Sequence, residues 1–122
     1  MNYTPVGKES AERYTWGKAC DGWHFLRRDD LSVILEEAPP GESEIMHAHA
    51  RSRQFFFVLA GSASMEIGAF GGKDREVVRF GPEEGLEVAP GVPHRFFNDG
   101  TDIVKFIVVS MPKSRGDRVP AA

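Results

Sequence analysis

One cysteine, Cys20, is all the thiol chemistry in this 122-residue chain. That excludes an internal disulfide framework and any zinc site assembled from several cysteines. No apolar run approaches the ~18 residues of a membrane-spanning helix, and the polar opening from Met1 to Ser10 lacks the apolar stretch of a secretory leader. Basic stripes are missing as well. Lys and Arg total 15 against 18 Asp and Glu, the formal charge is −3 and the pI is near 5.8, so neither nucleic acid nor an anionic membrane is the expected partner. A reducing cytoplasm is the expected compartment. Helical periodicity is almost absent, with a weak helical pattern only over Lys8 to Lys18. Tyr and Trp number two each, whereas Phe reaches nine, Gly 13 and Pro eight, the balance of a turn-rich β protein. The length fits a single domain with a core of its own.

The pattern is strand, turn, strand. Ser32 to Glu37 is short and rich in β-branched residues, and Ala38-Pro39-Pro40-Gly41 ends it as a turn. Gln54 to Leu59 is apolar on both faces, which requires cover on both sides. Gly61 to Ile67 follows, with a hairpin turn expected at Gly68 to Gly72. Val77 to Phe80, Leu86 to Val88, Arg95 to Phe97 and Ile103 to Val109 complete seven or eight expected strands. Such a set, closely spaced, reads as a sandwich or barrel. The expected division is an N-terminal segment over 1–30 packing on the barrel or on a partner subunit, a β-barrel over 31–111, and a polar, loosely packed tail over 112–122.

The chain has four histidines. His47 and His49 stand two apart, and on a strand such residues share a face ~7 Å apart, near enough for both imidazoles to meet one ion at ~2.1 Å bonds. Gln54 follows His49 by an odd offset, so a turn through residues 50–53 has to intervene before it can face the same way. His94 enters behind a Pro-Gly turn and a second proline. His24 lies in an aromatic segment with Trp16 and Trp23, where packing is the plain expectation and a place at the barrel mouth the alternative.

These residues resemble the two motifs of the cupin superfamily. Gly41, His47, His49, Gln54 and Gly61 match the spacing of the first, with glutamine where glutamate is usual. Gly91, His94 and Asn98 match the second, with Ala89 in the proline position and Glu83 where a glycine is expected. The resemblance implies an all-β cupin-type double-stranded β-helix, a jelly-roll barrel of one domain. It also implies one divalent transition metal (iron, manganese, nickel, zinc, cobalt or copper) held by His47, His49 and His94, with Gln54 either a fourth ligand or a hydrogen-bonding group beside them. Three neutral imidazoles with open positions resemble a catalytic site, and imidazole suits most of these ions.

Phe56, Val58, Phe96, Trp23 and His24 are the expected pocket lining. Phe55, Phe57 and Leu59 then face outward, the pattern of a homodimer contact. The expected function is a metal-dependent enzyme on a small organic molecule, with oxygenase-type activity ahead of a sugar-phosphate isomerase or cyclase. A non-catalytic small-molecule-binding cupin is the reading from another class. Glu36, Glu44 and Tyr14 are nominal acid–base candidates.

Overall fold

The computed structural model describes residues 3–68, 74–114 and 116–120. Eleven strands follow in chain order among them: β1 (Glu12–Trp16), β2 (Cys20–Arg27), β3 (Ser32–Ala38), β4 (His47–His49), β5 (Arg53–Ala60), β6 (Ala63–Ile67), β7 (Glu76–Phe80), β8 (Gly85–Val88), β9 (His94–Phe97), β10 (Val104–Met111) and β11 (Arg118–Pro120). They form a six-stranded sheet, β1-β2-β3-β10-β5-β8, and a five-stranded sheet, β11-β4-β9-β6-β7. The fold is all-β, two sheets in a jelly-roll-like arrangement. The expected closed barrel is corrected, because no strand ladder joins one sheet to the other among the described residues. The hairpin expected at Gly68 to Gly72 lies, apart from Gly68, outside the described residues.

Alternation explains the layering. Along β5 the residues Gln54, Phe56 and Val58 are buried, and along β10 Phe106, Val108 and Ser110 are buried opposite them in register. Their rows meet Met65 and Phe96 of the other sheet, and Phe96 stacks on Phe106 with ring centroids 4.5 Å apart. The intervening residues Phe55, Phe57, Ile107 and Val109 fall on the outer face of the six-stranded sheet.

Backbone conformation accounts for the motif glycines. Gly41, Gly61 and Gly91 have φ of 87°, 80° and 80°, a region that residues with a Cβ rarely enter. Glu83, where the motif calls for glycine, stands at φ 66° with a full side chain. Asn98 has a fastening role. Its Nδ2 donates to the carbonyls of Ala38 and Asp102 at 2.9 Å each, and its Oδ1 accepts from Gly100 N–H.

Two expectations about the chain ends change. The weak helical pattern at Lys8 to Lys18 gives way to strand β1, whose pairing with β2 supplies the hydrogen bonds that a short polar helix could not secure by packing. The loosely packed tail returns as β11 against β4. Asp117 anchors it: the carboxylate, only 8% exposed, accepts the N–H groups of Arg51 at 2.8 Å and Ser52 at 2.7 Å.

Candidate metal centre

Strand parity and sheet register bring the histidines together. His47 and His49 lie on one face of β4, and His47 is the cross-strand partner of His94 on β9. All three are buried, at 3%, 7% and 1% exposure. One ligand atom from each lies within 4.8 Å of the others. Two atoms bound to one ion at ~2.1 Å stand ~3–4 Å apart, so small side-chain movements complete the convergence.

Hydrogen bonds set which ring nitrogens are available. Nδ1–H of His47 donates to the Ile45 carbonyl at 2.9 Å, and Nδ1–H of His94 donates to the Val92 carbonyl at 2.9 Å. Each leaves an Nε2 lone pair free. Nε2 of His94 and Nδ1 of His49 are buried without a hydrogen-bond partner, a costly arrangement for nitrogen acceptors unless something else meets them. Burial pushes His47 and His49 down to about 4 and lowers His94 as well. The imidazoles are therefore neutral at neutral pH, the state that binds metal. This buried triad fits a divalent transition-metal site.

Gln54 reaches the same cavity from the opposite sheet. Its Nε2 donates to Ser110 Oγ at 3.1 Å, leaving Oε1 buried and without a partner. The cavity holds about 140 Å³ and is lined by His47, His49, Gln54 and Phe56, among others. Val58 and Phe96, expected there too, belong to the core and are not among the residues that line this cavity. Alternation turns Trp23 to the outer face, with Lys8 over its ring at 4.4 Å. His24 packs on Tyr14 and lines a neighbouring cavity of about 830 Å³ that shares Ile34 and Ser114 with this one. Cys20 is buried against Glu42 and its thiol is pushed up to about 12, so it is not a nucleophile at neutral pH.

Four further residues complete the site: Trp16, Glu36, Glu44 and Arg118 line both this cavity and an adjoining mouth of about 310 Å³. Trp16 belongs to the aromatic segment for which a place at the mouth is the alternative to packing, whereas Arg118 was missed by sequence reasoning. Arg118 comes from the far end of the chain, and only its register opposite His49 reveals its place. Tyr14 O–H donates to Glu36 Oε2 at 2.5 Å. Phe96 N–H donates to Glu44 Oε1 at 3.3 Å. Desolvation raises Glu36 to about 8 and Glu44 to about 7.

Two sheets with a buried histidine triad between them define a metal-binding β protein. The cupin-domain family model matches residues 34–110, more than half of the chain, and the chain belongs to the cupin family. No curated protein matches it. Among solved structures it is similar to CapF, a capsular polysaccharide assembling protein from Staphylococcus aureus, with a TM-score of 0.77 at 15% identity over 88% of this chain and 33% of that one. KdgF from Halomonas sp. aligns with a TM-score of 0.76 at 15% identity, covering 90% and 95% of the two chains. Oxalate decarboxylase from Bacillus subtilis, with Mn(II) centres, gives 0.69 at 16% identity over 88% and 29%. The chain thus spans about a third of the length of CapF and of the decarboxylase.

The expected oxygenase-type activity is corrected by this comparison. The names among these neighbours are those of a polysaccharide assembling protein and a decarboxylase, and none is that of an oxygenase. The physical reason is that the two motifs specify a metal cradle, and a cradle does not select a reaction.

Proposed function

We propose that this chain is a metal-dependent enzyme of isomerase or decarboxylase type, acting on a small molecule that binds through oxygen atoms. The observation that carries this reading is the buried histidine triad, in which His49 Nδ1 and His94 Nε2 have no partner, next to a cavity lined by His47, His49, Gln54 and two carboxyl groups. When bound, a divalent ion supplies Lewis acidity toward a carbonyl or carboxylate oxygen. His47, His49 and His94 hold it as neutral donors, and Gln54 Oε1 adds an uncharged oxygen. An amide in place of a carboxylate leaves the site more positive, which favours anionic oxygen ligands. Phe56 and Trp16 restrict the space, and about 140 Å³ admits only a few non-hydrogen atoms beyond the ion.

The flanking segments take part in this reading. Tyr14 and Trp16 come from the 1–30 segment, and Ser114 and Arg118 from the 112–122 segment, so both complete the 31–111 unit. A reducing cytoplasm suits the single buried thiol, and cell fractionation checks it. The outer apolar row includes Phe55 and Leu59, 43% and 41% exposed; we read it as a contact with a second copy, and a monomer in sedimentation equilibrium would refute that.

Elemental analysis of protein purified without chelator or metal-affinity handle tests the main reading. The expected result is one transition-metal ion per chain. His47→Ala with His49→Ala should abolish the metal while circular dichroism still reports the β fold. Full metal retention in that variant would overturn the assignment.

A further inference from the structure

One wall of the cavity contains a side-chain device that metal binding does not require. Tyr14, Gly22 and Glu36 lie side by side across β1, β2 and β3, in direct register. A Cβ at position 22 would overlap the Tyr14 ring. The missing side chain lets the ring cross the middle strand, so that its hydroxyl reaches Glu36 two strands away. The Tyr14 hydroxyl holds Oε2 of Glu36, while Oε1 accepts no hydrogen bond among the described residues. No Lys or Arg forms an ion pair with Glu36 among them either.

We propose that Glu36 is the acid–base group of this site, positioned by Tyr14 across Gly22, and that it moves a proton on and off a ligand bound at the histidine triad. The inference rests on that triad holding a cation. The lining supports contact: His47, His49 and Glu36 all line the one small cavity of about 140 Å³. An independent pointer to a ligand is Gln54, 7% exposed, whose partnerless Oε1 belongs to the same cavity wall.

Glu44 fits the role less well, because Phe96 N–H already engages its carboxylate and Arg118 favours its ionised form. The groups facing Glu36 are Tyr14, Cys20, Glu44, Arg118, His47 and His49. Desolvation is the main cause that raises its titration to about 8, with Glu44 adding to it and the Tyr14 hydrogen bond opposing it. That value is for the chain without an ion; a bound cation favours the carboxylate, and Oε1, free of the Tyr14 hydrogen bond, is the atom placed to take and return the proton.

The step is a reversible proton transfer. A C–H bond beside a carbonyl breaks, the proton passes to Glu36 Oε1, and the electron pair stays on the ligand, spread onto its carbonyl oxygen. Return of the proton to the same carbon completes an exchange; return to the neighbouring, formerly carbonyl carbon completes an isomerisation when the adjacent hydroxyl gives its own proton to the former carbonyl oxygen, and no oxidant is consumed.

The test uses full-length protein loaded with zinc, and hydroxyacetone in D₂O as the probe. Proton NMR reads loss of its carbon-bound hydrogens, and infrared spectroscopy follows carboxylic acid bands across pH. Glu36→Gln should bind zinc normally, lose one titrating carboxylic acid band, and slow exchange at least ~100-fold. Tyr14→Phe should retain exchange and move its pH midpoint upward, because the lost hydrogen bond favoured the carboxylate. Zinc uptake with exchange untouched by Glu36→Gln would overturn the inference alone, as would loss of exchange in Glu44→Gln but not in Glu36→Gln. Failure of the wild-type chain to take up zinc would overturn the metal reading instead, and the infrared titration would then decide whether Glu36 holds the proton.

Discussion

The two walls of the cavity respond to one physical cause in opposite directions. On the wall made by β4 and β9, desolvation lowers three imidazoles so that they lose their protons. On the wall formed by β3 and the segment before β4, desolvation raises Glu36 and Glu44 so that they keep theirs. Bases and acids are both driven toward neutrality by a low-dielectric surrounding. The lesson is that burial alone can make one wall receptive to a cation and the other a store of protons. Neither wall needs an ion pair of its own. A cation seated between them would favour the carboxylate form across the gap.

The comparison breaks most severely if the histidine wall loses its backing. Asp117→Ala strands the buried N–H of Ser52 and frees that of Arg51, just after the ligand strand. The expected cost is about 1–3 kcal/mol, from the one buried donor left unsatisfied. Urea denaturation should show it, with weaker zinc uptake beside it; an unchanged midpoint would count against the anchoring role.

A subtler measurement sharpens the contrast from the acid side. In the unfolded chain Glu36 loses its proton near 4.5, whereas in the fold it holds it to about 8. The folded state therefore binds the extra proton between these values, and this contribution to stability is complete below the lower value and falls as pH rises toward the upper one. Glu36→Gln is neutral throughout and escapes that loss. On chelator-treated protein, the melting temperature of the variant relative to wild type should rise from pH 5 to pH 8 and then level off. A difference that stays flat across the range would contradict the raised titration. Glu44 shifts in the same direction and is present in both proteins, so it cancels to first order.

The smallest expected effect lies outside both walls. Glu83→Gly relieves a left-handed residue at φ 66° and should stabilise the fold by less than about 1 kcal/mol, because glycine also gains freedom in the unfolded chain. Thermal melts would show a small upward shift with zinc content unchanged.

Much of this fold is legible in the sequence where strand-forming residues run long. β5 and β10 have eight residues each and are rich in aromatic and β-branched residues on both faces, so the strands declare themselves although polarity does not separate inward from outward rows. β4 and β11 have three residues each, too few for a period to declare itself. β1 is a mostly exposed edge strand whose pattern mimics a weak helix. Within the site, His47, His49 and His94 are readable because the spacing of the two motifs encodes their convergence. Glu36 and its neighbour Glu37 are equivalent as composition, and only strand parity separates the cavity from the surface. Arg118 and Trp16 reach the cavity from opposite ends of the chain, a coincidence that no local window contains.

The hydrogen bonding of β11 to β4 has a practical consequence for anyone handling the protein. A fluorophore, tether or fusion partner joined downstream of Pro120 would pull directly on the strand that flanks two of the imidazoles. Such an attachment becomes an unintended probe of ion occupancy, and its signal would report traffic at the centre from what looks like a remote terminus.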